Sequence, residues 1–490
     1  MPAASEELAD ASVPAVPIEA EKASVTRHSV RIGSATVKYR ATAGTLNLPG
    51  ADGQPAASMF YIAYEREDAA DSGQRPVMFT FNGGPGSSSV WLHMGTFGPR
   101  RVAMRDGGQP DAAPYRLEDN AQSLLDVTDL VFIDPVGTGY SHALGTAEDK
   151  DFQGVEEDIQ AVGDFIRLWV TRNERWNSPK LVSGESYGST RSAALANHLQ
   201  GRGMFVNGLV LVSSILNFQT ARFDTGNDLP YITFLPTYAA TAWYHGRIAD
   251  APADIEAFLG PVREFAAGPY ATALMKGDRL GEQEAAAVAE RLAAYTGLSP
   301  QYLRATNLRI NIMRFTKELL RTERRTVGRL DSRFKGMDID AAGETFEHDP
   351  SLTAIMGPYT ATVNHYLRTE LEFQDDTEYE ILSSKVFRNW DWERPGQSPG
   401  GGGYINVAED LRAAMARDPH LKVFVANGYY DLATPFFATE YTMDHLGIEP
   451  ELKANIDMQY YAAGHMMYVH PESHVKLKRD LVAFIAGLNR

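Results

Sequence analysis

The sequence predicts an α/β fold: a mostly parallel central sheet with helices on both faces and an inserted helical cap. Three observations carry this. Short continuous apolar runs, such as "PVMFTF" (76–81), "DLVFID" (129–134) and "PKLVSG" (179–184), have the texture of strands buried on both sides, as in parallel sheets. Gly-rich turns or helical periodicity follow each run, which places helices over the sheet. That rhythm stops near residue 217 and resumes near 400, which marks an insertion.

The elements follow in order. Residues 1–24, "MPAASEELADASVPAVPIEAEKAS", are acidic and rich in Ala and Pro. They lack the basic and apolar regions of a signal peptide and have the composition of a disordered leader. A native cytosolic start and a mature exported chain given a new Met1 both fit. "SVTRHSVRIGSATVKYRATAGTL" (24–46) and "SMFYIAYERED" (58–68) alternate apolar and polar residues, the pattern of antiparallel strands. With the runs after Arg75 they form the first part of the core, 25–216. Residues 217–399 form the cap. They are helix-rich, as in "EQEAAAVAERLAAYTG" (282–297) and "INIMRFTKELLRTERR" (310–325), and end in a flexible "GQSPGGGGY" (396–404). The second part of the core, 400–490, carries strands at Lys422–Ala426 and Gln459–Ala462 and helices at Pro435–Leu446 and Glu472–Leu488.

Composition narrows the function. The chain has 490 residues, 44% apolar and 22% charged, with 46 Lys plus Arg against 63 Asp plus Glu and a formal charge of −17. This describes a soluble globular chain and argues against a nucleic-acid partner or an anionic membrane surface. It contains no cysteine, which excludes disulfides, thiolate chemistry and cysteine zinc sites. No apolar run is long enough to span a membrane.

One segment points to chemistry. Gly184-Glu185-Ser186-Tyr187-Gly188 fits G-x-S-x-G, and it follows a predicted strand and opens a predicted helix. That is the context of a nucleophile elbow, in which a tight turn lifts a serine hydroxyl off the sheet. A serine needs a base, and the base needs an orienting acid. Asp431 and His465 lie just beyond predicted strands, in the order Ser, Asp, His found in α/β-hydrolases. His470 and His474 are the competing bases; Asp418 and Asp444 are badly placed as acids. An oxyanion needs two backbone N–H donors. Tyr187 supplies one, and the Gly-rich loop "FNGGPGSSS" (81–89) is placed to supply the other. That loop lacks the spacing of a phosphate loop.

Together, "NGGPGSSS" (82–89), "FGP" (97–99), "VFIDPVGTGYS" (131–141), "GESYG" (184–188), "NGYYD" (427–431) and "AGHM" (463–466) resemble the serine carboxypeptidase family. The resemblance implies an α/β-hydrolase fold and a triad of Ser186, Asp431 and His465. It implies an oxyanion hole from Gly84 and Tyr187. It implies that Asn82 and Glu185 hold a peptide's C-terminal carboxylate, and that Met466 walls the leaving-group pocket. Glu185 donates a hydrogen bond only when protonated, so capture should favour acidic pH. The chain departs from the family at Thr80, Thr96, Ser87 and Tyr429, which leaves part of the carboxylate clamp missing. Arg100, Arg101 and Arg191 are the cations available to rebuild it, with internal salt bridges or a solvated surface as their alternative. Tyr187, Trp243, Tyr244, Tyr359 and Tyr366 are candidates for the pocket walls, with core packing as the alternative.

The expected function is a serine-type carboxypeptidase that releases C-terminal residues from peptides through an acyl-enzyme. The alternatives are an esterase or acyltransferase with the same triad, and a silent binding protein. No metal or organic cofactor is called for. The expected partners are peptides with a free C-terminus, and a homodimer is left open. The resemblance favours an exported or periplasmic location; a native Met1 would favour the cytoplasm.

Overall fold

Three antiparallel strands open the chain: β1 (Ala23–Ile32), β2 (Ala35–Pro49) and β3 (Pro55–Arg66). From Val37 to Ala43, β2 buries every second side chain in one core layer; the phase then shifts at Gly44, and Leu46 and Leu48 pack into the layer on the other face. A computed structural model describes residues 17–69, 73–104, 112–394 and 403–488. Residues 1–16 of the expected leader and most of the expected flexible segment near 400 lie outside the described residues. Ala23 and Ser24, read as leader, belong to β1, and Lys22 N–H already donates to Thr45 Oγ1.

The central strands are β4 (Val77–Phe81), β5 (Asp129–Ile133), β6 (Lys180–Ser186) and β7 (Gly208–Ser214), buried along almost their whole length. β8 (Lys422–Gly428) and β9 (Ile456–Tyr461) complete the sheet. The spatial order is β1-β2-β3-β5-β4-β6-β7-β8-β9, and a two-residue strand at His142–Ala143 pairs with β3. Pairing is antiparallel as far as β3–β5 and parallel from β5 onward. β8 runs on to Gly428 and β9 stops at Tyr461. The Asn-Gly pair that ends β8 is held in the ladder by Asn427↔Tyr460 and Gly428↔Tyr461, so a pair with turn chemistry stays extended.

The period-2 alternation of the strands sorts their side chains onto two helical layers. Phe79, Val131, Val182, Leu211 and Val425 pack with helices α1 (Val155–Arg172) and α2 (Tyr187–Gly201). Their neighbours Met78, Leu130, Leu181, Val210 and Phe424 face the opposite way. Between β7 and β8 the chain is mainly helical, including α3 (Leu229–Tyr244) and α4 (Pro350–Thr369). α5 (Ala408–Arg417) joins the α1 layer, α6 (Phe436–Asp444) follows β8, and α7 (Pro471–Gly487) covers the second face through Leu477, Leu481 and Ile485. The helical stretch has its own core around Phe234, Tyr238 and Phe315. Tyr430 and Leu432, the neighbours of Asp431, are built into that core. Among the described residues no helix is long and apolar enough to cross a membrane.

Candidate active site

The parallel strands end together, and the predicted site residues lie at or just beyond those ends. β6 finishes at Ser186 and α2 starts at Tyr187, with nothing between them. Ser186 has φ +61° and ψ −128°, a backbone state that L-residues adopt at a cost of about 1–3 kcal/mol. The turn is so tight that a Cβ at Gly184 would lie 2.0 Å from Gly188 O. The Gly-rich loop lies against it: a Cβ at Gly83 would lie 2.5 Å from Tyr187 N and 2.7 Å from Glu185 O. Tyr187 is the first residue of α2, so its N–H has no partner inside the helix. Gly84 follows directly after Gly83, at φ +103°. The two backbone segments expected to form the oxyanion hole are therefore side by side.

The loop is held from behind by the "VFIDPVGTGYS" segment. Buried Asp134 accepts Ser89 N–H on Oδ1 and the Tyr379 hydroxyl on Oδ2, both at 2.8 Å, and its own carbonyl accepts Ser141 Oγ at 2.6 Å. Burial pushes its carboxyl up to about 6 against these donors.

Asp431 is fully buried and His465 is 4% exposed. His465 Nδ1 lies 2.8 Å from Asp431 Oδ2. The same carboxylate accepts Thr434 Oγ1 at 2.6 Å, Ala433 N–H at 2.8 Å and Thr434 N–H at 3.0 Å. With the imidazole this fills all four acceptor sites of the carboxylate, which is how a buried charge is made tolerable. The proton on Nδ1 is assigned from this contact, and it leaves the Nε2 lone pair free. Burial disfavours charge on His465; the Asp431 charge and hydrogen bond outweigh it and hold the ring above its ordinary value.

Two contacts bring His465 to the elbow. Ser214 is the ladder partner of Ser186, and the preceding Ser213 donates its hydroxyl to His465 O at 2.6 Å. The end of β7, which pairs with the nucleophile's strand, thus also holds the backbone of the base. Among the described residues the Ser186 hydroxyl makes no hydrogen bond, while its carbonyl accepts Ser189 Oγ at 2.6 Å.

Asn82 and Glu185 are bonded to each other: Asn82 Nδ2 donates to Glu185 Oε1 at 2.8 Å. Asn82 Oδ1 accepts Leu92 N–H at 3.0 Å, which fixes which way the amide faces. The Tyr468 hydroxyl donates to Glu185 Oε2 at 2.7 Å. Burial pushes the Glu185 carboxyl up to about 7, against a lowering pull from His465 and both donors. Met466 is buried and faces a small apolar cavity of about 10 Å³ with Leu330, Phe334, Ile355 and Val469.

Several expectations need correction. Arg191 is 1% exposed, donates to Asp158 at 2.7 Å and to Asn82 O at 2.8 Å, and so braces the Asn82 backbone from inside. Arg100 pairs with Asp119 and Glu370, and Arg101 contacts His474 and Glu118. All three follow the internal-pair alternative. The Tyr187 ring is buried against Trp390 and Trp392, and Tyr359 and Tyr366 are core residues, so none of these three is an open pocket wall. Buried His474 shows why it is a poor base: burial drives its ring down to about 3.

The sequence reading missed Thr434, Tyr468 and the loop 329–333. Leu330 O accepts His465 N–H at 2.6 Å, Asp331 Oδ2 accepts Gly464 N–H at 3.1 Å, Ser332 N–H donates to Tyr430 O at 2.9 Å, and Leu432 N–H donates to Arg329 O at 3.0 Å. One loop of the helical stretch therefore brackets both Asp431 and His465. Thr434 had one usable signal, a hydroxyl three residues after a buried acid. The loop had none.

Residues 34–253 match the family model described as serine carboxypeptidase. The chain is related to the serine carboxypeptidases. Among its relatives, serine carboxypeptidase-like 34 of Arabidopsis thaliana is 26% identical over 235 residues, 45% of this chain and 41% of that protein. The pheromone-processing carboxypeptidase KEX1 of Phaeosphaeria nodorum is 31% identical over 153 residues, 31% of this chain and 22% of that protein. The match thus spans 41% of the first relative's own length and 22% of the second's. The crystal structure of the prohormone-processing carboxypeptidase KEX1(delta)p from Saccharomyces cerevisiae superposes with a TM-score of 0.55 at 16% identity, covering 91% of each chain. That likeness gives the α/β-hydrolase fold. Among the described residues no group of three His, Asp or Glu is placed to hold a metal ion.

Proposed function

We propose that the protein is a serine carboxypeptidase that removes residues from the C-terminal end of peptides through an acyl-enzyme on Ser186. The observation that carries this is the juxtaposition of the Asp431–His465 pair, the strained Ser186 turn and the Asn82–Glu185 pair, which starts one residue from the nucleophile. Ser186 Oγ attacks the last peptide carbonyl, and His465 Nε2 takes its proton. The Gly84 and Tyr187 N–H groups receive the oxyanion. As the C–N bond breaks, His465 gives the proton to the leaving amine. Water then attacks the ester with His465 again as base, and Ser186 is regenerated.

Asn82 and protonated Glu185 donate to the terminal carboxylate of the substrate, and Met466 flanks the leaving residue. Glu185 sits well above the ordinary carboxylate range because it is buried, so it holds its proton on the acid side of neutrality and loses it through about pH 7. Capture of free-acid peptides is therefore an acid-to-neutral activity. Residues 217–399 serve as the cap over the acyl side.

The test compares peptides with free and amidated C-termini by mass spectrometry. The reading expects stepwise shortening of the free-acid peptide, far slower loss from its amide, and no turnover by Ser186→Ala. Equal turnover of the two peptides would sink the carboxylate clamp and leave a general esterase or amidase.

A further inference from the structure

Among the described residues, Tyr468 is the one donor to Glu185 that the proposed reaction does not use. It lies three residues beyond His465, in the short turn Met467–Val469, and is fully buried. Burying a phenol requires a partner for its hydroxyl, and that partner is Glu185 Oε2 at 2.7 Å. Asn82 Nδ2 holds Oε1 at 2.8 Å. One donor on each oxygen fixes the plane of the carboxyl group, which a single donor would leave free to turn. Space for the ring is made by Gly95: a Cβ there would lie 2.4 Å from Tyr468 Cε2 and 2.7 Å from the Tyr359 hydroxyl. The contact is therefore built from three segments that meet only in the folded chain.

We propose that Tyr468 is a positioning residue that governs specificity: through its hydroxyl it holds Glu185 in the attitude that receives a free C-terminal carboxylate and sets the pH range in which that capture operates. This rests on the carboxylate-clamp reading given above. The groups that act on Glu185 are His465 and Asp431 from the two triad loops, Asn82 from the Gly-rich loop and Tyr468 itself, while Tyr359 on α4 feels the Glu185 charge. Burial favours the protonated acid; the Tyr468 hydrogen bond favours the carboxylate. The phenol is itself held far above its ordinary value by burial, so it remains a donor throughout the working range. Removing it leaves Glu185 protonated to higher pH and less well aimed.

The experiment measures kcat and KM for a blocked dipeptide and its amide across the pH range, in wild type, Tyr468→Phe, Glu185→Gln and the double variant. Phenylalanine keeps the ring volume. The expected result for Tyr468→Phe is a roughly tenfold fall in the preference for the free acid, carried by KM, the size of one good hydrogen bond between neutral groups. The alkaline limb of kcat/KM moves to higher pH. In the Glu185→Gln background, adding Tyr468→Phe leaves the profile where it was. An equal loss on both substrates, or an unmoved limb, would mean the tyrosine only fills space and would overturn the proposal. If Tyr468→Phe does not fold, Gly95→Ala displaces the ring instead and is expected to lower the same preference; an unchanged preference in a folded Gly95→Ala protein would also overturn it. A wild type with no preference for the free acid fails the clamp reading itself, whereas a wild-type preference that survives in Tyr468→Phe fails the role of Tyr468 alone.

Discussion

His465 Nδ1 stands 2.8 Å from Asp431 Oδ2, and Thr434 Oγ1 donates to that same oxygen at 2.6 Å. The acid is thus aimed by a hydroxyl of its own loop, and it aims the imidazole in turn. Asp431→Asn keeps the shape but puts an N–H where an acceptor is needed, which favours the wrong tautomer of His465. The expected fall in kcat is about 10⁴-fold, by analogy with the same change in a serine protease triad, with KM little altered. Steady-state kinetics on a peptide substrate check it. A loss confined to KM would show that Asp431 does not orient the base.

Glu185→Gln tests the coupling between the clamp and the base. The Glu185 charge raises His465, and His465 in turn lowers Glu185, so the two titrate as a pair. The neutral amide resembles the protonated acid, which carries no charge to raise His465, so the acidic limb of kcat/KM stays in place. The alkaline limb set by loss of the Glu185 proton disappears. Stability follows the same sign. A carboxyl raised in the folded state stabilises it below the ordinary carboxylate range, and that contribution is lost as pH rises through about 7. Melting curves at several pH values should show this decline in wild type and not in Glu185→Gln.

Asp331→Asn tests whether the loop 329–333 steadies the triad. Asp331 is 6% exposed, and its Oδ2 accepts Arg333 Nη2 at 2.7 Å and Gly464 N–H at 3.1 Å, next to His465. Weakening these charged hydrogen bonds should cost roughly 2 kcal/mol of stability. It should also lower kcat more than it raises KM, because the bracket holds the base rather than the substrate. Denaturant melts and kinetics on the same preparation separate the two effects. Unchanged kcat in a destabilised protein would restrict the loop to a structural role.

Much of this site was legible in the sequence because its parts are local. The elbow is a five-residue pattern between a strand and a helix, and Asp431 and His465 each follow an apolar run. The sheet was legible for the same reason: period-2 alternation in β2 and continuous burial in β4 to β7 are written in consecutive residues. What escaped is held by contacts between distant segments. Leu330 is an unremarkable leucine until its carbonyl meets His465 N–H, and Tyr468 reads as core filler until Gly95 makes room for its ring beside Glu185. The sequence leaves the arginines open between a clamp and an internal pair, and only the folded chain decides: Arg191 is sealed inside with Asp158 and Asn82.

The most direct test of the account is intact-mass and peptide mapping of the protein after treatment with a fluorophosphonate. The account predicts one phosphonyl group per chain, attached at Ser186, and none on Ser186→Ala. Little or none is expected on His465→Ala, since the imidazole must take the hydroxyl proton. A folded wild-type chain that stays unlabelled, or one labelled at another serine, would contradict it.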